Sequence, residues 1–130
     1  GLLPALEILC GEVQERSGLD ILTRFEPVSL SSSADLTVYR VVQEALTNIV
    51  KYAQARTVQV ELHNEPERVC VRVEDDGVGF DLSQTRIGSH GLRGMRFRVE
   101  SENGRLEIAS RAGQGTELTA CLPRVAQGQG

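Results

Sequence analysis

The stretch that decides the fold is VCVRVEDDGVGF, residues 69–80. Its valines alternate with other residues, which predicts a strand with one apolar face, and Asp75 continues the parity of those valines at the end of the strand. A carboxylate on the core-facing side needs partners. Gly77 and Gly79 follow, and because neither has a Cβ, the backbone there can be approached closely. The stretch therefore predicts a binding site where this strand ends.

The other elements are predicted from the period of their apolar residues. A first helix begins near Leu2 and ends at Ser17-Gly18, and serines in the loop 27–33 offer an N-cap for a central helix. The predicted elements are helices at 2–17, 34–52 and 92–100 and strands at 21–26, 58–62, 69–73, 106–108 and 116–122. This order indicates an α/β two-layer sandwich, with helices on one face of a mixed, mostly antiparallel sheet.

Length and charge limit the class of protein. The chain has 130 residues, which suits one domain, and we expect residues 1–125 to form it and residues 126–130 to be a disordered tail. The net charge is −4, so neither a nucleic-acid footprint nor a basic membrane-binding face is indicated. No signal peptide or long apolar run is present, and a cytoplasmic location is predicted for these residues, although a parent chain could be membrane-anchored.

The cysteines and the lysine each carry an expectation. Cys10, Cys70 and Cys121 are odd in number and far apart, which favours free thiols in a reducing cytoplasm over bridges and gives no metal-ligand spacing. Lys51 is the only lysine among 14 basic residues. Either the composition is simply rich in arginine, or position 51 needs a compact ammonium for phosphate, and the two interpretations are compatible.

The central helix carries a polar stripe. At roughly 100° per residue, Glu44, Asn48 and Lys51 fall within about 60° of one another, opposite the apolar face. A solvated face of an amphipathic helix would give the same pattern. However, asparagine is a mild propensity defect inside a helix, and its carboxamide oxygen is a suitable Mg²⁺ ligand.

Glycines surround the predicted start of the last helix at Gly88, Gly91 and Gly94. Unpaired N–H groups and the helix dipole make such a position an anion site. Residues 81–89 then form a short lid. A further glycine turn, residues 112–115, precedes Thr116.

Taken together, these segments resemble the ATP-binding catalytic domain of bacterial sensor histidine kinases, in the superfamily of gyrase, heat-shock chaperone and mismatch-repair ATPases. Residues 39–53 look like the N box in its nitrate-sensor-like form, residues 75–80 and 88–95 look like two glycine boxes, and residues 113–116 look like the last one. Residues 1–6 are similar to the segment that joins the dimerisation helices to this domain. The resemblance implies a Bergerat ATP-binding fold.

The resemblance also implies roles for single residues. Glu44 would be catalytic, orienting water or acting as a base, while Asn48 would hold Mg²⁺ and Lys51 would meet phosphate. Asp75 would accept a hydrogen bond from the exocyclic amine of adenine, where guanine offers a carbonyl oxygen instead. The remaining implied ATP-binding residues are Gly77, Gly79, Gly88, His90, Gly91, Leu92 and Thr116.

Three positions stand apart from this pattern. Tyr52 occupies a position where relatives usually have His, which puts a phosphate contact there in doubt, and Phe97 replaces a common Glu, a change we expect to concern packing. His90 is equally well explained as a solvated loop residue.

The implied activity is that of an ATP-dependent protein-histidine kinase. With ATP and Mg²⁺ as cofactors, the domain would deliver the γ-phosphoryl group to a histidine on a separate dimerisation domain, for relay to a response regulator. Residues 61–64, Glu-Leu-His-Asn, mimic a phosphoacceptor motif, but they lie in a predicted strand after the N box. The fragment is therefore not expected to autophosphorylate alone.

Two other functions fit the same residues. One is a non-catalytic module that binds nucleotide as a switch. The other is an ATPase or anti-sigma-type serine kinase of the same superfamily, although the joining segment at residues 1–6 has no explanation in that case.

Overall fold

A computed structural model describes residues 1–79 and 91–125 of the chain. Its elements are α1 (Leu2–Ser17), β1 (Asp20–Phe25), α2 (Ser32–Asn48), a π-helix (Ile49–Ala53), β2 (Thr57–Asn64), β3 (Arg68–Asp75), α3 (Leu92–Ser101), β4 (Arg105–Ser110) and β5 (Thr116–Pro123). Every predicted strand is present, and the order of the elements agrees with the prediction.

The strands form one five-stranded sheet in the order β1-β2-β3-β5-β4. β1 runs parallel to β2, and the other neighbouring pairs are antiparallel. The predicted fold class, a mixed and mostly antiparallel sheet with helices on one face, is confirmed. The register pairs Asp75 with Val58 on one side and with Thr116 on the other. The carboxylate therefore lies in the interior of the sheet rather than at its edge.

The two faces of the sheet differ in character. On the inner face, alternate residues such as Val60, Val71 and Leu122 are fully buried and share one core with Leu6 of α1 and Leu46 of α2. The opposite face, which we call the outer face, carries the residues of the other parity, including Glu61, His63, Cys70, Arg72, Glu74, Glu117 and Cys121. Arg72 lies at its centre and pairs with Glu61, Glu74 and Glu117.

The helix ends follow the predicted capping residues. Gly18 takes the left-handed conformation with φ of 79° and donates its N–H to the carbonyl of Gln14 at 3.0 Å. The hydroxyl of Ser31 accepts a hydrogen bond from the N–H of Ala34 at 3.2 Å and so caps α2.

The central helix differs from its prediction in one respect. A single helix over residues 34–52 was expected, but the α-helix ends at Asn48 and continues as the π-helix Ile49–Ala53. Because a π-helix has i→i+5 hydrogen bonds, residues after Asn48 no longer follow the 100° step of an α-helix.

The expectation of three free thiols is wrong for two of them. Cys70 and Cys121 form a disulfide across β3 and β5, where they are register partners with Cα atoms 4.1 Å apart. They are 51 residues apart in the sequence, and only the strand order makes them neighbours. Cys10 is a free, buried thiol, and burial raises its pKa to about 11.

Within the described ranges, no helix is long and apolar enough to cross a bilayer. The predicted lid 81–89, with Gly88, and His90 fall outside those ranges. The expected tail, residues 126–130, falls outside them as well.

Candidate functional site

A cavity of about 150 Å³ lies between the end of α2 with its π-helix and the inner face of the sheet. The described residues that line it are Ala45, Asn48, Ile49, Tyr52, Ala53, Val73, Asp75, Gly79, Leu92, Ile108, Thr116 and Leu118. Most of this lining is apolar. The cavity thus suits an apolar, planar group, and its few polar side chains lie at defined places.

Asp75 is the charged residue of this lining, and it is only 6% exposed. Its Oδ1 accepts a hydrogen bond from the N–H of Gly77 at 2.8 Å. Burial raises the pKa of Asp75, the Gly77 N–H opposes that rise, the charge of Asp76 adds to it, and the Thr116 N–H opposes it again. An ionised carboxylate can accept about four hydrogen bonds, so capacity remains for a donor in the cavity.

Asp76 has a separate, structural role. Its Oδ1 accepts hydrogen bonds from the N–H groups of Arg56 at 2.8 Å and Thr57 at 3.0 Å. Those two bonds lower the pKa of this carboxyl, Thr57 having the larger effect. The carboxylate therefore fixes the start of β2. Asp76 thus serves the turn, whereas Asp75 lines the cavity.

The glycines after β3 are required by the packing of the backbone itself. A Cβ on Gly77 would lie 2.8 Å from the carbonyl carbon of Ala53 in the π-helix, and one on Gly79 would lie 2.8 Å from the carbonyl oxygen of Gly115. Gly79 and Gly115 also have positive φ, 63° and 75°. The turn after β3 is thereby wedged between the π-helix and the β4–β5 turn. Contact of Gly77 and Gly79 with a bound base stays a prediction.

Glu44 and Asn48 are placed around the same end of the cavity. Asn48 is half-buried and lines the cavity, and the carboxyl group of Glu44 lies against Gly91. A Cβ on Gly91 would be 2.9 Å from the Cδ of Glu44. Gly91 is the N-cap of α3 with φ of 73°, and Leu92 begins the helix and lines the cavity. A carboxylate, a carboxamide and a helix N-terminus therefore meet there.

Lys51 does not line this cavity. It lies in a second depression, beside Arg16 and Ser17 of α1 and next to Thr47 and Val50. The polar stripe inferred from the α-helical angle is thus divided, because the π-helix begins directly after Asn48 and turns Lys51 away from it. The phosphate contact of Lys51 stays a prediction.

Several residues of the cavity were not singled out from the sequence. Ala45, Ile49 and Ala53 supply its helical wall, and Ile108 and Leu118 supply part of its sheet wall. Their only sequence signal was the period that marks any core residue.

Other residues of note have defined places. Thr116 lines the cavity and shares a 2.7 Å hydrogen bond with the hydroxyl of Ser110. Tyr52 lines the cavity and is 51% exposed, while Phe97 is 73% exposed on α3. The expectation that the change at Phe97 concerns packing stays a prediction. His63 lies in β2 as predicted, on the outer face.

The cavity is lined by residues from the segments that resemble the N box and the glycine boxes, among them Asn48, Asp75, Gly79 and Leu92. Residues 34–126 match the family described as histidine kinase-, DNA gyrase B-, and HSP90-like ATPase. The chain belongs to this ATPase family. Proteins of this family bind ATP.

The chain is also similar to curated sensor kinases. It is 30% identical to the sensor histidine kinase LiaS of Bacillus subtilis over 95% of this chain and 34% of that protein. It is 32% identical to the signal transduction histidine-protein kinase/phosphatase DegS of Brevibacillus brevis, over 95% of this chain and 32% of that protein. It is 38% identical to the sensor histidine kinase ComP of Bacillus subtilis, over 88% of this chain and 16% of that protein. The chain thus spans about a third or less of these relatives.

Solved structures agree on the fold. The blue-light activated histidine kinase EL346 of Erythrobacter litoralis superposes with a TM-score of 0.80 at 21% identity, over 94% of this chain and 41% of that one. The histidine kinase AdeS of Acinetobacter baumannii superposes with a TM-score of 0.77 at 12% identity, over 93% of this chain and 64% of that one. At such identities the likeness supports the fold of the ATPase domain.

Proposed function

We propose that this chain is the catalytic, ATP-binding domain of a sensor histidine kinase of the nitrate-sensor-like group. In the intact protein it delivers the γ-phosphoryl group of Mg-ATP to a histidine on a separate dimerisation domain, for relay to a response regulator. Residues 1–125 form the domain, and it works in the cytoplasm. The support is the family match, the kinase relatives and the geometry of the cavity.

The observation that carries the proposal is the buried carboxylate of Asp75 in an apolar cavity. Leaving such a group without a donor is unfavourable, and its two described backbone donors do not exhaust its capacity. The exocyclic amine of adenine supplies a donor, whereas guanine would turn a carbonyl oxygen toward the carboxylate. Apolar walls from Ile49, Val73 and Leu118 suit the faces of the base. Asp75 is accordingly the residue that selects adenine.

The phosphates are proposed to lie at the other end of the cavity, toward Gly91 and Leu92. The first turn of α3 presents unpaired N–H groups and the positive end of its dipole there. Asn48 fits a Mg²⁺ ligand, because a carboxamide oxygen is a hard donor and Mg²⁺ usually takes one or two protein oxygens together with phosphate oxygens. Bound Mg²⁺ would neutralise charge on the phosphates. Gly88 and His90 are proposed as further contacts from the lid.

Glu44 is proposed as the catalytic residue. Its carboxylate already lies against Gly91, at the place where the phosphate chain would end. From there it can orient a water molecule or accept a proton from the attacking group. Most of the remaining work in phosphoryl transfer is positioning and charge neutralisation, which fits a site built mainly from backbone and one metal ligand.

Base recognition is tested by calorimetry with Mg-ATP and Mg-GTP. The unsubstituted chain, here called the parent chain, should prefer ATP. Asp75→Asn should weaken ATP binding by about 1.5–3 kcal/mol, the scale of a hydrogen bond to a charged group. Asp20→Asn is a matched control, because Asp20 is an exposed residue of β1. Equal affinities of the parent chain for ATP and GTP would remove Asp75 from base recognition.

Phosphoryl transfer is tested by adding the dimerisation domain of the full-length protein and following radiolabelled γ-phosphate. Acid-labile phosphohistidine should appear on the added domain, and Glu44→Gln should abolish it while ATP binding stays near that of the parent chain. Binding without transfer would favour a nucleotide switch. Acid-stable phosphoserine on another substrate would favour a serine kinase of the same superfamily.

A further inference from the structure

The outer face of the sheet carries a group of metal-ligating side chains that the ATP site does not use. His63, Cys70 and Cys121 are consecutive register partners across β2, β3 and β5, and Glu65 follows β2. We propose that this cluster binds one Zn²⁺ ion when the Cys70–Cys121 disulfide is reduced, with His63, Glu65, Cys70 and Cys121 as the four ligands. This site is distinct from the nucleotide cavity, which opens on the inner face.

The candidate ligand atoms already lie close together. Ligand atoms of His63, Glu65 and Cys70 all lie within 4.8 Å of one another, and His63 Nε2 is 3.3 Å from Glu65 Oε2. Tetrahedral zinc has Zn–S bonds of about 2.3 Å and bonds to nitrogen or oxygen of about 2.0–2.2 Å, so two ligand atoms on one ion are about 3.3–3.8 Å apart. Zinc binding therefore requires side-chain rotations that bring the three atoms to this separation. Cys121 is bonded to Cys70 and so starts next to them.

The disulfide decides whether the ligands exist. A sulfur in a disulfide is a poor ligand, and the thiolate is the form that binds metal. Two equivalents of a small thiol, R–SH, cleave the S–S bond, giving two protein thiols and one R–S–S–R. Two electrons and two protons pass from the small thiols to the protein sulfurs. Zn²⁺ then replaces the two thiol protons, which are released to solvent.

The ligand set favours zinc over the harder cations. Two thiolates and an imidazole are borderline-soft donors, whereas Ca²⁺ and Mg²⁺ require oxygen ligands. With one carboxylate added, the complex carries a net charge of −1. A cation lies beside it, because Arg68 Nε donates to Glu65 Oε1 at 2.7 Å. This arginine offsets the excess negative charge of the site.

Sequence reasoning could not find this cluster, because cysteine motifs are read from spacing along the chain. Here the ligands come from three strands and the residue after β2. Between His63 in β2 and Cys121 in β5, the sequence contains β3, α3 and β4. Cys10 provides an internal contrast. It is buried in α1 with a raised pKa, about 11, and so remains protonated and unsuited to bind metal.

The test uses the whole 130-residue chain. It is reduced with a phosphine, which is then removed without oxygen, and Zn²⁺ is titrated in competition with a chromophoric chelator. The reduced chain should bind one Zn²⁺, and the disulfide form should bind none at the same concentration. With Co²⁺ as the probe, the reduced chain should show thiolate-to-metal charge-transfer absorption.

Single substitutions identify the ligands. His63→Gln should weaken Zn²⁺ binding by at least about tenfold, since loss of a direct ligand should cost no less than the smallest usual effect of an outer-shell partner. Because His63 is a 40% exposed side chain, this variant tests the site without disturbing the core, and circular dichroism checks its fold. Cys121→Ser should have the same effect and remove much of the charge-transfer absorption. Cys10→Ser is the matched control and should bind like the parent chain.

Three results would overturn the proposal. They are no Zn²⁺ binding by the reduced chain, equal binding by the reduced and disulfide forms, or parent-like affinity in both His63→Gln and Cys121→Ser. Since ATP is absent from every titration, these results leave the proposed kinase function untouched.

Discussion

Replacement of Gly77 by alanine tests how tightly the turn after β3 is wedged against the π-helix. The added Cβ would lie 2.8 Å from the carbonyl carbon and 2.9 Å from the Cβ of Ala53. Those atoms belong to the backbone or lie next to it, so no rotation of a flexible side chain can relieve the contact. The backbone must move. The first contact to be stretched is the hydrogen bond from the Val78 N–H to the Ala53 carbonyl, with 2.7 Å between nitrogen and oxygen.

The magnitude follows from two contributions. Forcing a methyl group into a packed site costs about 1–3 kcal/mol, and weakening one hydrogen bond costs about 1 kcal/mol. We therefore expect Gly77→Ala to lower the free energy of unfolding by about 2–4 kcal/mol. A domain of ordinary stability, about 5–15 kcal/mol, remains folded after such a loss. Movement of the turn also shifts the Gly77 N–H away from Asp75, so ATP affinity should fall in the folded variant.

Urea unfolding followed by circular dichroism measures the stability change. Gly11→Ala is the matched control, because Gly11 lies inside α1 and nothing beyond its own stretch of helix lies within 4 Å of the position that a Cβ would take. In a helix interior, the same substitution should stabilise by about 0.5–1 kcal/mol. The two variants should therefore move the urea midpoint in opposite directions. A Gly77→Ala midpoint equal to or above that of the parent chain would refute the packing argument.

Three further predictions concern nucleotide binding. Asn48→Ala should reduce the gain in ATP affinity that Mg²⁺ provides but leave adenosine binding near parent, by calorimetry; an unchanged gain excludes Asn48 as a ligand. An acyl-phosphate ATP analogue should label Lys51, with protection by excess ATP, as mass spectrometry would show; fast labelling by a succinimidyl ester, indifferent to ATP, would mean a merely solvated lysine. Because burial raises the pKa of Asp75, its charge is lost at a higher pH than for an ordinary aspartate. The preference for ATP over GTP, measured by calorimetry, should therefore weaken as the pH falls toward the raised pKa of Asp75. In Asp75→Asn this preference should be small at every pH.

The strands could be predicted because their signal is local. Alternation over a few residues placed Val71 and Val73 on the inner face, and the same parity placed Asp75 beside them, buried as expected. Parity needs no knowledge of the rest of the fold, since successive side chains of a strand point to opposite faces. The most informative residue of the site was therefore within reach of sequence reasoning.

The position of Lys51 was not predictable in the same way. Its place beside Asn48 was inferred by assuming a constant α-helical step. The π-helix that begins at Ile49 breaks that step, and no residue in Ile49–Ala53 marks such a change in advance. An error of this kind affects only residues beyond the break, which is why Asn48 lines the cavity and Lys51 does not.

The pairing of Cys70 with Cys121 was missed for a different reason. It depends on β5 lying beside β3, and strand order is a property of the whole sheet rather than of any local pattern. Spacing along the chain, the only available measure, is 51 residues and indicates nothing. The family resemblance did supply the fold, but it carries no information about which cysteines of this chain pair.

The strand order also has a consequence for synthesis on the ribosome. Of the five described strands, β5 is made last, yet it lies between β3 and β4 in the interior of the sheet. Roughly 40 residues separate Asp75 from Thr116, so translation needs about 2–8 s to supply the partner of β3. Throughout that interval the nascent chain exposes a valine-rich edge that can pair with another polypeptide. Products that terminate before Thr116 should therefore aggregate rather than persist as smaller folded domains.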